Sequence, residues 1–121
     1  NVYKRKMFEY SSAGGEYKAA NPMEILLEAA AACTAIDVVA MLNKRKKAIT
    51  DFNIEVSGEK REEHPSIYNK VHMKYILVSP DLEESELVRA ISLSQEKYCS
   101  VSATLKLAGA AVTYEYEIKK S

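Results

Sequence analysis

Asn21-Pro22-Met23-Glu24-Ile25-Leu26-Leu27-Glu28-Ala29-Ala30-Ala31-Ala32-Cys33-Thr34-Ala35-Ile36-Asp37-Val38-Val39-Ala40-Met41-Leu42 is the stretch whose reading decides the fold. Asn21 offers a capping side chain, and Pro22 at the first helical position lacks only an N–H that would have no partner there. Glu24 places a negative charge near the positive end of the helix dipole. From Ile25 to Leu42 only Glu28, Thr34 and Asp37 interrupt the apolar residues, so the spacing predicts a long helix, to about Lys46, that is apolar on nearly every face and buried. The run Ala29 to Ala32, followed by Cys33, strips one part of its surface of bulk and lets a second helix come close. One candidate for that second helix is the same helix of another copy.

Outward from this helix the chain reads as strands and a second helix. Val2 to Tyr10 alternates imperfectly as a strand, and Ser11-Ser12-Ala13-Gly14-Gly15 marks a turn. Thr50 to Arg61 places Phe52, Ile54 and Val56 on one face, and Tyr68 to Ser79 aligns Val71, Met73, Tyr75 and Leu77, which predicts an antiparallel hairpin. Ser79-Pro80-Asp81 opens a helix through about Lys97, with Asp81 and Glu84 in capping-box spacing and Leu87, Val88, Ile91 and Ser94 on its inner stripe. Ser100 or Ser102 caps a short helix through Leu107, and Ala111 to Lys119 ends the chain as a strand. The class is α+β, with a long buried central helix and a second helix packed on a mainly antiparallel sheet. No dinucleotide-binding, Walker or nucleophile-elbow motif is present.

Composition narrows the function. The 121 residues carry 17 Lys+Arg against 17 Asp+Glu, and 47% are hydrophobic, which fits one domain over residues 1–121 with a modest core. A neutral chain lacks the basic excess that draws proteins to nucleic acid, and the Lys44-Arg45-Lys46-Lys47 run reads as a cationic helix end rather than a phosphate-binding patch. Glu28 and Asp37 argue against a membrane span, at about 2.5–3.5 kcal/mol for a charge at bilayer depth. With two cysteines and no recognisable signal peptide, the expected address is cytoplasmic, where thiols are kept reduced. Cys33, Cys99, His64 and His72 lack zinc-ligand spacing, and neither a metal nor another cofactor is expected.

The thiols are therefore the chemically active candidates. Cys33 lies mid-helix among apolar residues, surroundings that suit a small core residue as well as a nucleophile. Cys99 comes after Lys97 and Tyr98 and precedes a helix start, where unpaired N–H groups favour an anion, although an interior cysteine near a helix end reads equally well.

Asn21-Pro22-Met23-Glu24-Ile25-Leu26-Leu27 with Ala31-Ala32-Cys33-Thr34-Ala35-Ile36-Asp37-Val38-Val39 resembles the central helix of the OsmC/Ohr proteins, in their OsmC-like branch. Lys97-Tyr98-Cys99-Ser100-Val101, with Thr104-Leu105 beyond it, resembles the same family's second cysteine motif. The resemblance runs from about Asn21 to Ile118, and the paired motifs are more specific than either alone. It implies an intertwined homodimer and a thiol-dependent peroxidase that reduces organic hydroperoxides. Cys33 would be the peroxidatic cysteine and Cys99 the resolving one, closing a disulfide that a dithiol, of lipoyl type for example, reopens. Tyr98, Ile36 and Met41 are candidate walls of an apolar pocket and equally candidate core residues.

The family's usual activating pair is an Arg from an N-terminal segment and a Glu near the start of the central helix. Met23 stands at the position expected for that acid, and Glu24 comes one place later. Nine residues at about 100° each put Glu24 on the side of a regular helix opposite Cys33, so it is both a candidate activating acid and an ordinary N-terminal acid. Arg5, the only Arg before the helix, sits in a strand and reads as structural, and the family's N-terminal strands are expected to be shortened. The alternative function is a weakly active or inactive dimer of the same fold that binds a small molecule.

Overall fold

The computed structural model describes residues 10–11, 16–17 and 21–121, so the expected strand from Val2 falls almost wholly outside the described residues. Tyr10–Ser11 (β1) and Glu16–Tyr17 (β2) form a short antiparallel pair. The long helix α1 then spans Pro22–Lys44, and Asn21 caps it as its sequence predicts, its side-chain oxygen accepting from the amides of Met23 at 2.9 Å and Glu24 at 3.4 Å. The helix closes two residues before the expected Lys46, which adopts the left-handed region at φ 57° while the Lys47 amide donates back to the Leu42 carbonyl at 3.1 Å.

Strands β3 (Asp51–Lys60) and β4 (Tyr68–Val78) form the expected antiparallel hairpin, with Phe52 opposite Leu77, Ile54 opposite Tyr75 and Val56 opposite Met73. Gly58 is required here by a close approach: a Cβ in its place would sit 2.6 Å from the Tyr68 ring. The Tyr68 hydroxyl in turn donates to the Met23 carbonyl at 2.7 Å and ties the hairpin to the first turn of α1. Strand β5 (Ala111–Lys119) adds to the other edge of β4, in parallel rather than antiparallel sense, aligning Val71 with Val112 and Leu77 with Ile118. The sheet, in order β3-β4-β5, is therefore mixed, a correction to the mainly antiparallel one expected. A parallel neighbour needs a crossover connection, and residues 79–110 supply it as helices.

That crossover holds the two expected helices, but the first is shorter than expected and starts differently. The α2 helix spans Glu84–Leu93 and is boxed by Glu83 and Glu86 rather than by Asp81 and Glu84. Asp81 is engaged elsewhere, accepting from the Ala48 amide at 3.1 Å, while the buried Ser79 hydroxyl accepts from the Leu82 amide at 3.1 Å. After α2 the chain widens into a π turn, Ser94–Tyr98, before α3 (Ser100–Leu107), whose N-cap is Cys99 and not a serine. Gly109, at φ 104°, reverses the chain after α3, a conformation that suits glycine. Arg45 and Lys47 each reach Glu86 at 3.1 Å, so the cationic end of α1 is spent on fastening α2.

The core lies between the helices and one sheet face, with Val71, Met73, Tyr75 and Leu77 of β4 meeting Leu42 and Val38 of α1 and Leu87 and Ile91 of α2. Truncating fully buried Leu42 to Ala costs about 2–5 kcal/mol. The expected burial of α1 on nearly every face is not met within one chain. Leu27, Ala30, Thr34, Val38 and Leu42 are buried, whereas Ala29, Ala32, Ile36 and Ala40 form an exposed stripe. The physical reason is that the sheet and the other helices cover a single side of α1. By length and composition alone α1 is apolar enough to cross a membrane, but its inner stripe is seated on this core.

Candidate functional site: two neighbouring thiols on a buried polar cluster

Position 33 falls on α1 between the inner and outer stripes, so the Cys33 side chain is half-buried. Cys99 ends the π turn and begins α3, and it is 2% exposed. The two thiols are near enough for Cys33 to act on the ionisation of Cys99, and neither is in a disulfide. Burial pushes the Cys99 thiol above its ordinary value of 9.0, the Ser102 hydroxyl and backbone amide pull it back toward ionisation, and the neighbouring Cys33 pushes it up again. The Ser102 hydroxyl is buried and has no hydrogen-bond partner among the described residues. At rest the environment therefore keeps Cys99 protonated while placing two donors where a thiolate would need them.

Beside the thiols lies a polar cluster in an otherwise apolar core. The Thr34 hydroxyl meets the Tyr75 hydroxyl at 2.7 Å and the Ser94 hydroxyl at 2.8 Å, and Ser94 donates to an Asp37 carboxylate oxygen at 2.9 Å. The Gln95 side-chain amide nitrogen donates to the Tyr75 hydroxyl at 2.8 Å, while its side-chain oxygen Oε1 is buried without a partner. Burial is the main cause that raises the Tyr75 hydroxyl above its ordinary 10.0, the bonds to Thr34 and Gln95 oppose it, and Cys99 is near enough to add to the rise. In the sequence Thr34 and Asp37 read as breaks in an apolar helix and as part of its cysteine motif, and Ser94 as an inner-stripe residue; none reads as a member of a joint cluster. The signal that joins them was a polar residue on each of two inner stripes, since a buried hydroxyl needs a partner.

Glu24 is not brought to this site. It sits exposed in the first turn of α1, and its charge acts on the Tyr68 hydroxyl rather than on the thiols. Of the candidate pocket walls, Ile36 is 69% and Tyr98 51% exposed, so neither is a core residue of the single chain. Met41 lines a different cavity of about 250 Å³ near the end of α1, with Leu42, Arg45, Glu86 and Leu93. No cluster of three or more His, Cys, Asp or Glu side chains suited to a metal occurs among the described residues.

Fold and site together define a class of small α+β proteins that set one cysteine on a long helix against another at the head of a short one. The OsmC-like protein family model matches residues 14–115, and the chain belongs to that family. It is 40% identical over 101 residues to Protein YhfA of Escherichia coli strain K12, a match that takes in 84% of this chain and 75% of that one. A hypothetical protein from Aquifex aeolicus VF5 shares the fold over 99% of each chain, with a TM-score of 0.83 and 34% identity. The fold extends to the organic hydroperoxide resistance protein OsmC of Legionella pneumophila, with a TM-score of 0.59 and 17% identity over 98% of this chain and 82% of that one.

Proposed function

We propose that the chain is a thiol-dependent peroxidase for organic hydroperoxides, with Cys33 as the peroxidatic and Cys99 as the resolving cysteine. The observation that carries this reading is the unequal placement of two adjacent thiols, one half-exposed and one buried and held protonated. A hydroperoxide, ROOH, is attacked at its terminal oxygen by the Cys33 thiolate; the O–O bond breaks, the alkoxide takes a proton and leaves as ROH, and Cys33 becomes a sulfenic acid. The Cys99 sulfur then attacks the Cys33 sulfur, forming the S–S bond and expelling the hydroxyl as water with the Cys99 proton. A dithiol reductant reopens the disulfide by exchange.

The same reading assigns the exposed stripe of α1 to a second copy of this chain. Ala29, Ala32 and Ala40 leave room for a close helix crossing, and Ile36, one turn beyond Cys33, would be covered by it. Ile36 and Tyr98 then supply apolar walls beside the thiols, which favours alkyl over hydrogen peroxide. Glu24 lies outside this mechanism within one chain and would reach a thiol only across the dimer.

The experiment is turnover with a lipoyl-type dithiol as reductant and either cumene hydroperoxide or hydrogen peroxide as oxidant. The expected result is faster turnover with cumene hydroperoxide, on the order of tenfold or more, since a few buried carbons are worth about that. No turnover with either peroxide, from a protein that binds apolar ligands and stays dimeric, would favour a binding module.

A further inference from the structure

Ser94 makes two kinds of bond at once. Its hydroxyl, wholly buried, accepts from Thr34 at 2.8 Å and donates to Asp37 at 2.9 Å, both on α1. Its backbone carbonyl accepts the Cys99 amide at 2.7 Å, the five-residue bond that makes this turn a π turn. Thr34 is the residue after Cys33. From one cysteine to the other the path is thus a peptide bond, a hydroxyl pair, one residue and one backbone hydrogen bond.

The direction of the cluster is set at its end. A carboxylate only accepts, so Ser94 donates to Asp37, Thr34 donates to Ser94, and Tyr75 donates to Thr34, with the Gln95 amide donating to Tyr75. Each hydroxyl donates once, and the orientation of all of them is fixed by Asp37. Lys106 adds a bond at 2.7 Å to the main-chain carbonyl of Gln95, within the same turn. A π turn is a rare local geometry, and returning it to α-helical spacing shifts the downstream chain by one residue, about 100° around the axis. Such a shift would carry Cys99 away from Cys33.

We propose that Ser94, through its hydroxyl bonds to Thr34 and Asp37, is a positioning residue that holds the π turn in the register that keeps the Cys99 sulfur against Cys33. This deepens the peroxidase reading and rests on the two thiols acting as a redox couple, though not on peroxide being the oxidant. The reduced protein is equilibrated with mixtures of reduced and oxidised dithiothreitol, and the Cys33–Cys99 disulfide is quantified by alkylation and mass spectrometry. The oxidised reagent takes two electrons and two protons from the thiols and becomes the dithiol, so the equilibrium constant measures how well the sulfurs are placed.

Ser94→Ala and Thr34→Val are expected to lower that constant by about tenfold, the scale of one or two lost buried hydrogen bonds. Thr34→Ser, which keeps the hydroxyl and loses a buried methyl, is expected to melt earlier and hold the constant within about twofold. Ser79→Ala, a buried hydroxyl at the start of the crossover, should behave like Thr34→Ser. Should Ser94→Ala fail to fold, the contrast between Thr34→Val and Thr34→Ser decides alone. Equal constants for wild type, Ser94→Ala and Thr34→Val overturn the proposal, as does a wild-type pair that never closes a disulfide. A pair that closes in dithiothreitol but not with hydroperoxide instead overturns the peroxidase reading and leaves Ser94 in its role.

Discussion

Cys33 and Cys99 are neighbours in space and opposites in setting. Cys33 rides on a regular helix whose outer face is open, while Cys99 is buried where a π turn gives way to α3. The first is reachable by a reagent from solvent. The second has its ionisation opposed by burial and supported by the Ser102 hydroxyl and amide, so it is suited to react when a partner sulfur is delivered to it. The difference between the two thiols thus lies in exposure and nearby donors rather than in residue type. The contrast also explains why the polar cluster lies where it does, since it joins the two elements that carry the thiols.

The largest expected effect comes from removing one thiol at a time. Cys33→Ser should lower peroxide turnover to background, a loss on the order of a thousandfold or more. Cys99→Ser should leave the first oxidation of Cys33 within a few-fold, trap a sulfenic acid that dimedone labels, and then overoxidise in excess peroxide. Should Cys99 keep the reactivity in the Cys33 variant, the contrast between the two thiols is inverted.

Next in size is a charge on the open face of α1. Ile36→Glu should weaken self-association on the order of a hundredfold, read by sedimentation, with its circular dichroism unchanged because the side chain is outside the single-chain core. An unaltered oligomeric state would mean that the exposed stripe is not the contact.

The smallest effect sharpens the comparison through pH. The folded state holds the Cys99 proton more tightly than the unfolded chain, so this contribution is complete below the ordinary value of 9.0 and is lost as pH rises through the folded value. Tyr75, raised from 10.0 chiefly by burial, acts in the same direction further up. The unfolding free energy of the wild type, from denaturant titrations between about pH 8 and 10.5, should fall with a slope of at most about 1.4 kcal/mol per pH unit for each group. Cys99→Ala should flatten the first part of that fall; an identical slope would place the effect elsewhere.

Much of this was legible in the residues. Asn21-Pro22 marks the start of α1 because capping is a local event, and the alternation of Phe52 to Val56 against Val71 to Leu77 carries the hairpin, though not its register. The two cysteine motifs point to a thiol pair through their resemblance to a family pattern. The features that escaped depend on neighbours that no local pattern encodes. Val112 to Ile118 shows which face of β5 is inward, but nothing in it says that β4 runs parallel beside it. Ser94–Tyr98 reads as ordinary helix, since a π turn is held by contacts from α1 and α3 rather than by its own propensities. An all-round apolar helix reads as buried, and sequence alone does not divide that burial between its own chain and another copy.

The most direct test of the division between the thiols is mass spectrometry of the fully reduced protein after a substoichiometric pulse of cumene hydroperoxide. The prediction is a loss of both thiols together and a single Cys33–Cys99 disulfide within one chain, in amount equal to the hydroperoxide consumed. Both cysteines remaining reduced while the added hydroperoxide persists unconsumed would contradict it.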